Sequence, residues 1–208
     1  DLVSQYSQIP NMSMDSDGDG YYDVLSGFQK SIRGSDVDAA LYYLGIMIEA
    51  NDMDSIERRL LVTAYEDIGL GNPAAVARCV QAIDAAKRVG FPEGRIPLAM
   101  AVIDLTLSPK SKSAENAIDA VMQTIRNTSY SVPDYLRFTP VNMKEEDKYD
   151  YGRADLWAKI QYLPDKLKNE KFYMPQMNSS YEKVLAQNLE KLRKVKRTSN
   201  LAALKKKR

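Results

Sequence analysis

The spacing of apolar residues restricts this chain more than any other feature. From Tyr22 to Asn127 they recur in steps of three and four, and glycine, asparagine or proline interrupts each run. Val24, Leu25, Phe28 and Ile32 make one stripe, with Gly34 as its stop. Ser35 then offers an N-cap, with Asp36 and Asp38 in a first turn where the helix dipole favours acids. The next helix carries Ala40, Tyr43, Leu44, Met47 and Ile48. A third is expected from about Ser55 to Ile68, with Ile56, Leu60, Ala64 and Ile68 at four-residue spacing and Gly69 and Gly71 beyond it. Asn72-Pro73 reads as cap and first position of a fourth, whose stripe is Val76, Val80 and Ile83 and whose stop is Gly90.

The fifth helix covers about Pro92 to Leu107, with Pro97 tolerated near its first turn and Pro109 past its end. The sixth has the cleanest period: Ala114, Ala117, Ile118, Val121, Met122 and Ile125. No stretch alternates convincingly with period two, so the predicted class is all-α, an antiparallel bundle of about six to eight helices. After Asn127 the pattern breaks. Residues 128–180 hold Pro133, Pro140, Pro164 and Pro175 among many tyrosines, which predicts an irregular aromatic-rich arm with only short helical stretches, such as Arg153 to Ile160. A last helix is expected from about Ser180 to Lys196, with Tyr181, Val184, Leu185, Leu189, Leu192 and Val195 on one face. The expected layout is a linker at 1–20, a helical domain at 21–127, the arm and last helix at 128–197 packed on it, and a basic tail at 198–208.

Missing residue types exclude much chemistry. The chain has no histidine and one cysteine, Cys79, which rules out histidine-based triads, CxxC redox pairs and four-cysteine zinc sites. No Gly-Lys pair exists, so there is no G-x-x-x-x-G-K-[ST] phosphate loop, and there is no G-x-G-x-x-G. The first residue is Asp1 and no signal peptide follows, so the chain reads as an intracellular piece of something longer. Residues 1–50 carry eight acids and two bases, a net charge of −6; residues 183–208 carry ten bases and one acid, a net of +9. Lys191, Arg193, Lys194, Lys196 and Arg197 could therefore touch DNA phosphates, although a solvated helix face is the simpler use.

Four further features have plain readings. Asp15-Ser16-Asp17-Gly18-Asp19-Gly20 copies half a calcium loop, but Ser26 stands where the bidentate glutamate belongs, so Asp15 to Asp23 reads as a solvated acidic linker. Arg58-Arg59 and Glu66-Asp67 are expected to make structural ion pairs, with phosphate binding or an arginine finger in trans as the alternatives. Cys79, between Val76 and Val80, is a small core residue. Glu145-Glu146-Asp147 belongs to a solvated loop, and the arm's aromatics (Tyr130, Tyr135, Phe138, Tyr149, Tyr151, Trp157, Tyr162, Phe172 and Tyr173) are expected to pack rather than stack bases. Residue chemistry alone therefore predicts no enzyme, no metal site and no bound cofactor in this chain.

Several ordered motifs carry a resemblance. Gly18 to Asp36 resembles G-D-x-x-Y-D-x-I-S-A-x-x-K-S-x-R-G-S-D, with Lys30, Ser31, Arg33, Gly34, Ser35 and Asp36 at its end. Asp38 to Leu44 fits D-A-A-L-Y-W/Y-L; Arg58-Arg59-Leu60 fits A-R-R-L; Tyr65 to Leu70, with Glu66 and Asp67, fits S-E-D-I-G-L. Pro92-Glu93-Gly94 and Ser108-Pro109-Lys110-Ser111 fit P-E-G and A-P-K-S, and Leu163-Pro164, Phe172 to Pro175 and the final helix follow in order. Gly27 replaces the usual alanine, Tyr65 a small residue, and residues 138–152 are shorter and more charged than the pattern. Over roughly residues 18–197 the chain is similar to the C-terminal region of the replication-associated recombination protein A family of AAA+ ATPases, also called maintenance-of-genome-stability protein A and, in eukaryotes, Werner-helicase-interacting protein.

That resemblance implies a cytoplasmic, nucleoid-associated bacterial parent acting in DNA replication, recombination and repair. Its ATP and Mg would bind an ATPase core outside this chain. This chain would be the domain that builds homotetramers and would perform no chemistry. DNA and single-stranded-DNA-binding protein would be partners of the parent, and no membrane would be. The competing expectations are a nucleic-acid-binding module built from the basic last helix and the aromatic arm, and a calcium switch at Asp15 to Asp23.

Overall fold

The computed structural model describes residues 19–207. The calcium-loop half at Asp15 to Gly18 lies outside them. The chain divides into two compact units, one of 19–114 with Asn178–Glu182 and the other of 115–177 with 183–207. Among the described residues the structure is helical, with one isolated parallel bridge, Ile160 to Thr198, and no sheet.

The first unit holds α1 (Asp19–Arg33), α2 (Val37–Glu49), α3 (Met53–Thr63), α4 (Pro73–Val89) and α5 (Arg95–Thr106). Their inward stripes meet in one apolar core. Phe28 and Ile32 of α1, Leu44 and Met47 of α2, Ile56 and Leu60 of α3, Cys79 and Ile83 of α4, and Leu98, Val102 and Leu105 of α5 are all buried there. Each large aliphatic side chain removed from water contributes about 1.5–3 kcal/mol before entropy is counted. The predicted stripes of the first four helices therefore supply much of the core, apart from Val80, which is exposed.

Helix ends depart from expectation in instructive ways. Ser35 is not the N-cap of α2. It sits at φ 60° and closes α1, with Ser35 N–H donating to the Ile32 carbonyl at 3.1 Å and Asp36 N–H to that of Ser31 at 3.0 Å. The cap falls one residue later, where the Asp36 carboxylate accepts from Ala39 N–H at 3.0 Å. Asn51, at φ 54°, ends α2 by the same pair of bonds, and Asp52 caps α3, which starts at Met53, two residues ahead of the expected Ser55. Asn72 caps α4 ahead of Pro73, as the sequence predicts. The fifth helix starts at Arg95 rather than Pro92, because a turn over Phe91–Gly94 precedes it.

The third helix does not run regularly to Ile68. Its last turn, Ala64–Ile68, widens into a π-turn, and a 3₁₀ turn at Gly69–Gly71 follows. That widening leaves Ala64, Asp67 and Ile68 all buried.

The helices α6 (Ser113–Asn127) and α7 (Ser180–Arg193) each begin in the first unit and continue in the second. On α6, Ile118, Met122 and Ile125 are exposed, so its regular stripe is not core. In the second unit, 3₁₀ turns at Asp134–Leu136, Glu145–Asp147, Ala154–Lys159 and Asp165–Leu167 replace regular helix. Its buried apolar side chains are Leu156, Ile160 and Leu201. The basic tail includes a short helix, α8 (Leu201–Lys206), capped by Asn200. Lys205 fastens it by donating to the carbonyls of Glu145 (3.0 Å) and Lys148 (2.6 Å). The aromatics only partly pack. Tyr149 and Tyr151 meet edge-on with centroids 5.1 Å apart, and Tyr135 donates to the Gln161 carbonyl at 2.6 Å, whereas Phe138 stands fully in solvent.

Candidate functional site

The family-type motifs converge in the first unit around Asp67, whose side chain is fully buried. The π-turn carries it inward. Arg33 Nε, at the end of α1, lies 2.8 Å from its carboxylate, and Lys112 Nζ lies 3.2 Å from it. Gln29 of α1 reaches Glu66 Oε2 at 2.6 Å. The Asp67 carbonyl accepts from Ser111 N–H at 2.9 Å. A buried carboxylate between two cations is costly to leave unpaired, so these bonds fix how α1, the π-turn and the segment after α5 meet.

Lys110 ties the same segment together. Its ammonium donates to Ser35 Oγ (3.0 Å) and to the carbonyls of Thr106 (2.7 Å) and Ser108 (2.6 Å). Burial pulls its pKa below the ordinary lysine range, against the attraction of Asp67. Pro109 passes so close to Gly71 that a Cβ there would lie 2.3 Å from the Pro109 carbonyl oxygen. Ser111 Oγ and Ser113 Oγ each donate to the buried Glu182 carboxylate at 2.5 Å, and Ser179 Oγ accepts from Glu182 N–H. Ser31 Oγ donates to the Phe28 carbonyl, and Gly34 and Asp36 shape the turn between α1 and α2.

The arginine pair behaves differently from expectation. Arg58 is exposed and Arg59 half-buried, and the charge partners of Asp67 come from Arg33 and Lys112 instead. The π-turn between Arg59 and Glu66 breaks the regular spacing on which the pairing was based. Cys79 is a buried free thiol, and burial pushes its pKa up to about 12, so it packs as an apolar residue. Among the described residues no cluster of acids, cysteines or histidines could hold a metal ion.

A second feature of this unit escaped the sequence reading. Helix α5 is apolar on nearly every side. Its inner face, Leu98, Ala101, Val102 and Leu105, is core, but Ile96 (55%), Met100 (68%), Ile103 (40%) and Leu107 (62%) are exposed. Leu41, Gly45 and Ile48 of α2 border Ile96, Met100 and Ile103 in one shallow apolar groove. Nothing lies within 4 Å of where a Gly45 Cβ would be, so the groove floor is open there. The signal was present: a helix apolar all round belongs between two layers.

In the second unit, Arg193, Lys196 and Arg197 line an open groove of about 1020 Å³ with Lys168, Lys171 and Tyr162. Arg197 lies over the Tyr162 ring at 5.6 Å and donates to the Ile160 carbonyl, while Arg193 donates to that of Tyr173. Lys191 and Lys194 do not line it, and Lys194 faces Glu190 at 3.6 Å. Glu145 is exposed and paired with Lys148, so Glu145-Glu146-Asp147 forms a solvated turn. No helix among the described residues is long and apolar enough to cross a membrane.

Comparison with known proteins adds the family. The model described as MgsA AAA+ ATPase C terminal matches residues 34–193. The chain is 51% identical over 91% of its length to Replication-associated recombination protein A of Bacillus subtilis, of which the match covers 47%. It is 34% identical over 84% of its length to the protein of that name in Escherichia coli K12, covering 41% of it. It is 31% identical over 80% to ATPase WRNIP1 of Dictyostelium discoideum, covering 20%. The chain thus spans less than half the length of each of these relatives.

Proposed function

The chain belongs to the MgsA AAA+ ATPase C-terminal family, and from that membership we propose that it is an assembly domain, holding copies of an ATPase together through the outer face of α2 and α5. The observation that carries this reading is the exposed half of α5. Three large side chains, Ile96, Met100 and Ile103, stand in solvent on a helix whose composition suits a buried layer, and Leu107 just past its end adds a fourth. A second copy covering them would remove that surface from water, and a stable contact needs about 1,200–2,000 Å² in total. The chain has no G-x-x-x-x-G-K-[ST] loop and no metal-binding cluster among its described residues, so in this reading the catalytic ATP site belongs to the rest of the parent. Its contribution is mechanical. AAA+ sites that take an arginine from a neighbour work only when neighbours are held close, and tethering raises their effective concentration. Assembly as a homotetramer, with DNA and single-stranded-DNA-binding protein as partners of the parent in a cytoplasmic, nucleoid-associated setting, completes the proposal.

Met100→Glu tests it. The side chain is exposed, so the fold should survive, while a charge buried at the seam should split the assembly. The expected result is a sedimentation coefficient falling to that of one 23.4 kDa chain with an unchanged helical spectrum. An unchanged coefficient for an assembled parent would remove this face from the reading.

A second reading, nucleic-acid binding, is favoured by the groove of the second unit, where five cations outnumber two acids, Asp165 and Glu170, beside the Tyr162 ring. Replacing Lys168, Lys171 and Lys196 with glutamine should then weaken single-stranded DNA binding and flatten its salt dependence. Unaltered binding would dismiss the groove.

A further inference from the structure

Beside the Asp67 cluster, α1 and α3 border a half-open hollow of about 150 Å³. Tyr22, Ser26, Gln29, Lys30 and Arg33 line it from α1 and Arg59 lines it from α3. The α1 residues recur in helical steps, so they form one polar stripe along that helix. Three of the six lining side chains are cations and none is an acid. Arg33 is held in direction by the bond from its Nε to buried Asp67, and Gln29 by its bond to Glu66. Neither Lys30 nor Arg59 has a carboxylate within ion-pair distance among the described residues.

Asp67 already compensates Arg33, but Lys30 and Arg59 at the same hollow repel each other unless a further anion lies between them. Two guanidinium forks and an ammonium offer the donor set that a tetrahedral oxyanion accepts, and the hydroxyls of Tyr22 and Ser26 can complete it. The hollow has room for such a group and little more. We propose that this hollow binds a single phosphate group, with Lys30 and Arg59 as its direct charge contacts and Asp67 as the anchor that positions Arg33. The phosphate could belong to a nucleotide or to a nucleic-acid backbone, and both present the same oxygens to these residues. The site does not depend on the assembly reading, because none of its residues lies on the outer face of α2 and α5.

The test follows backbone amide shifts of the 208-residue chain by TROSY spectroscopy as inorganic phosphate is added. Saturable shifts should centre on Ser26, Gln29, Lys30 and Arg59. They should weaken about tenfold or more in Lys30→Gln/Arg59→Gln and persist in Arg88→Gln, whose cation is exposed on α4. Should the double variant lose its helical spectrum, Lys30→Gln alone serves, since Lys30 is exposed. ATP and a hexathymidylate are then compared. Tighter and salt-sensitive binding of the oligonucleotide identifies a backbone phosphate, and tighter binding of ATP identifies a nucleotide. Shifts spread over every surface cation, shifts unaltered in the variants, or no saturable shifts at all would overturn the site.

Discussion

Gly71 has no freedom to change, because the Pro109 carbonyl fills the space a side chain would need. Gly71→Ala must push the segment after α5 away from the 3₁₀ turn, at a cost of about 1–3 kcal/mol readable as a lower urea midpoint. Asp52 makes a pH-dependent contribution. Burial would raise its carboxyl, but hydrogen bonds from Ser55 and Tyr21 outweigh burial and hold it below the usual carboxylate range. The same contact, after burial, pushes the Tyr21 phenol up beyond its ordinary value. A depressed folded-state pKa gives stability that is present above the unfolded value, about pH 4, and is lost as pH falls through the folded one. Asp52→Asn should therefore show a shallower loss of stability below pH 4 than the parent in urea melts taken across the acid range. Neither role was legible in the sequence. Gly71 reads there only as a helix stop, and the Tyr21–Asp52 bond spans 31 residues.

At the scale of elements, the residues with strong local chemistry were legible and the irregular ones were not. Asn72-Pro73 announces the start of α4, and the structure adds a second duty, since Asn72 Nδ2 donates to Ser108 Oγ at 3.0 Å. Asn72→Ala should thus cost about 1–2 kcal/mol, the upper part of the range for a lost cap, as a drop in thermal midpoint. The π-turn at Ala64–Ile68 has no periodic signature, because its apolar residues keep the four-residue step of an ordinary helix. It nevertheless decides the site, since it sends Asp67 to Arg33 and Lys112 rather than to the arginines of α3. Gly27 shows the opposite case. A Cβ there would lie 2.8 Å from the Tyr43 ring, which gives a physical reason for glycine where the family pattern has alanine. The most regular stripe in the sequence, on α6, marks an exposed face rather than core. Periodicity shows that a helix has two faces; it does not say what covers the apolar one.

At the scale of the whole molecule, the all-α class followed from periodicity and chemical exclusions, and the family from ordered motifs. The outer face of α5 needed coordinates, because the sequence cannot tell an inner from an outer apolar residue on a helix with both. What joins these levels is that the first unit presents apolar surface that water should not keep. Multi-angle light scattering on the unmodified chain, from micromolar to tens of micromolar, puts this to the test most directly. Self-assembly through α2 and α5 predicts a molar mass of four times 23.4 kDa at the upper end. A constant mass of one chain over the whole range would contradict it.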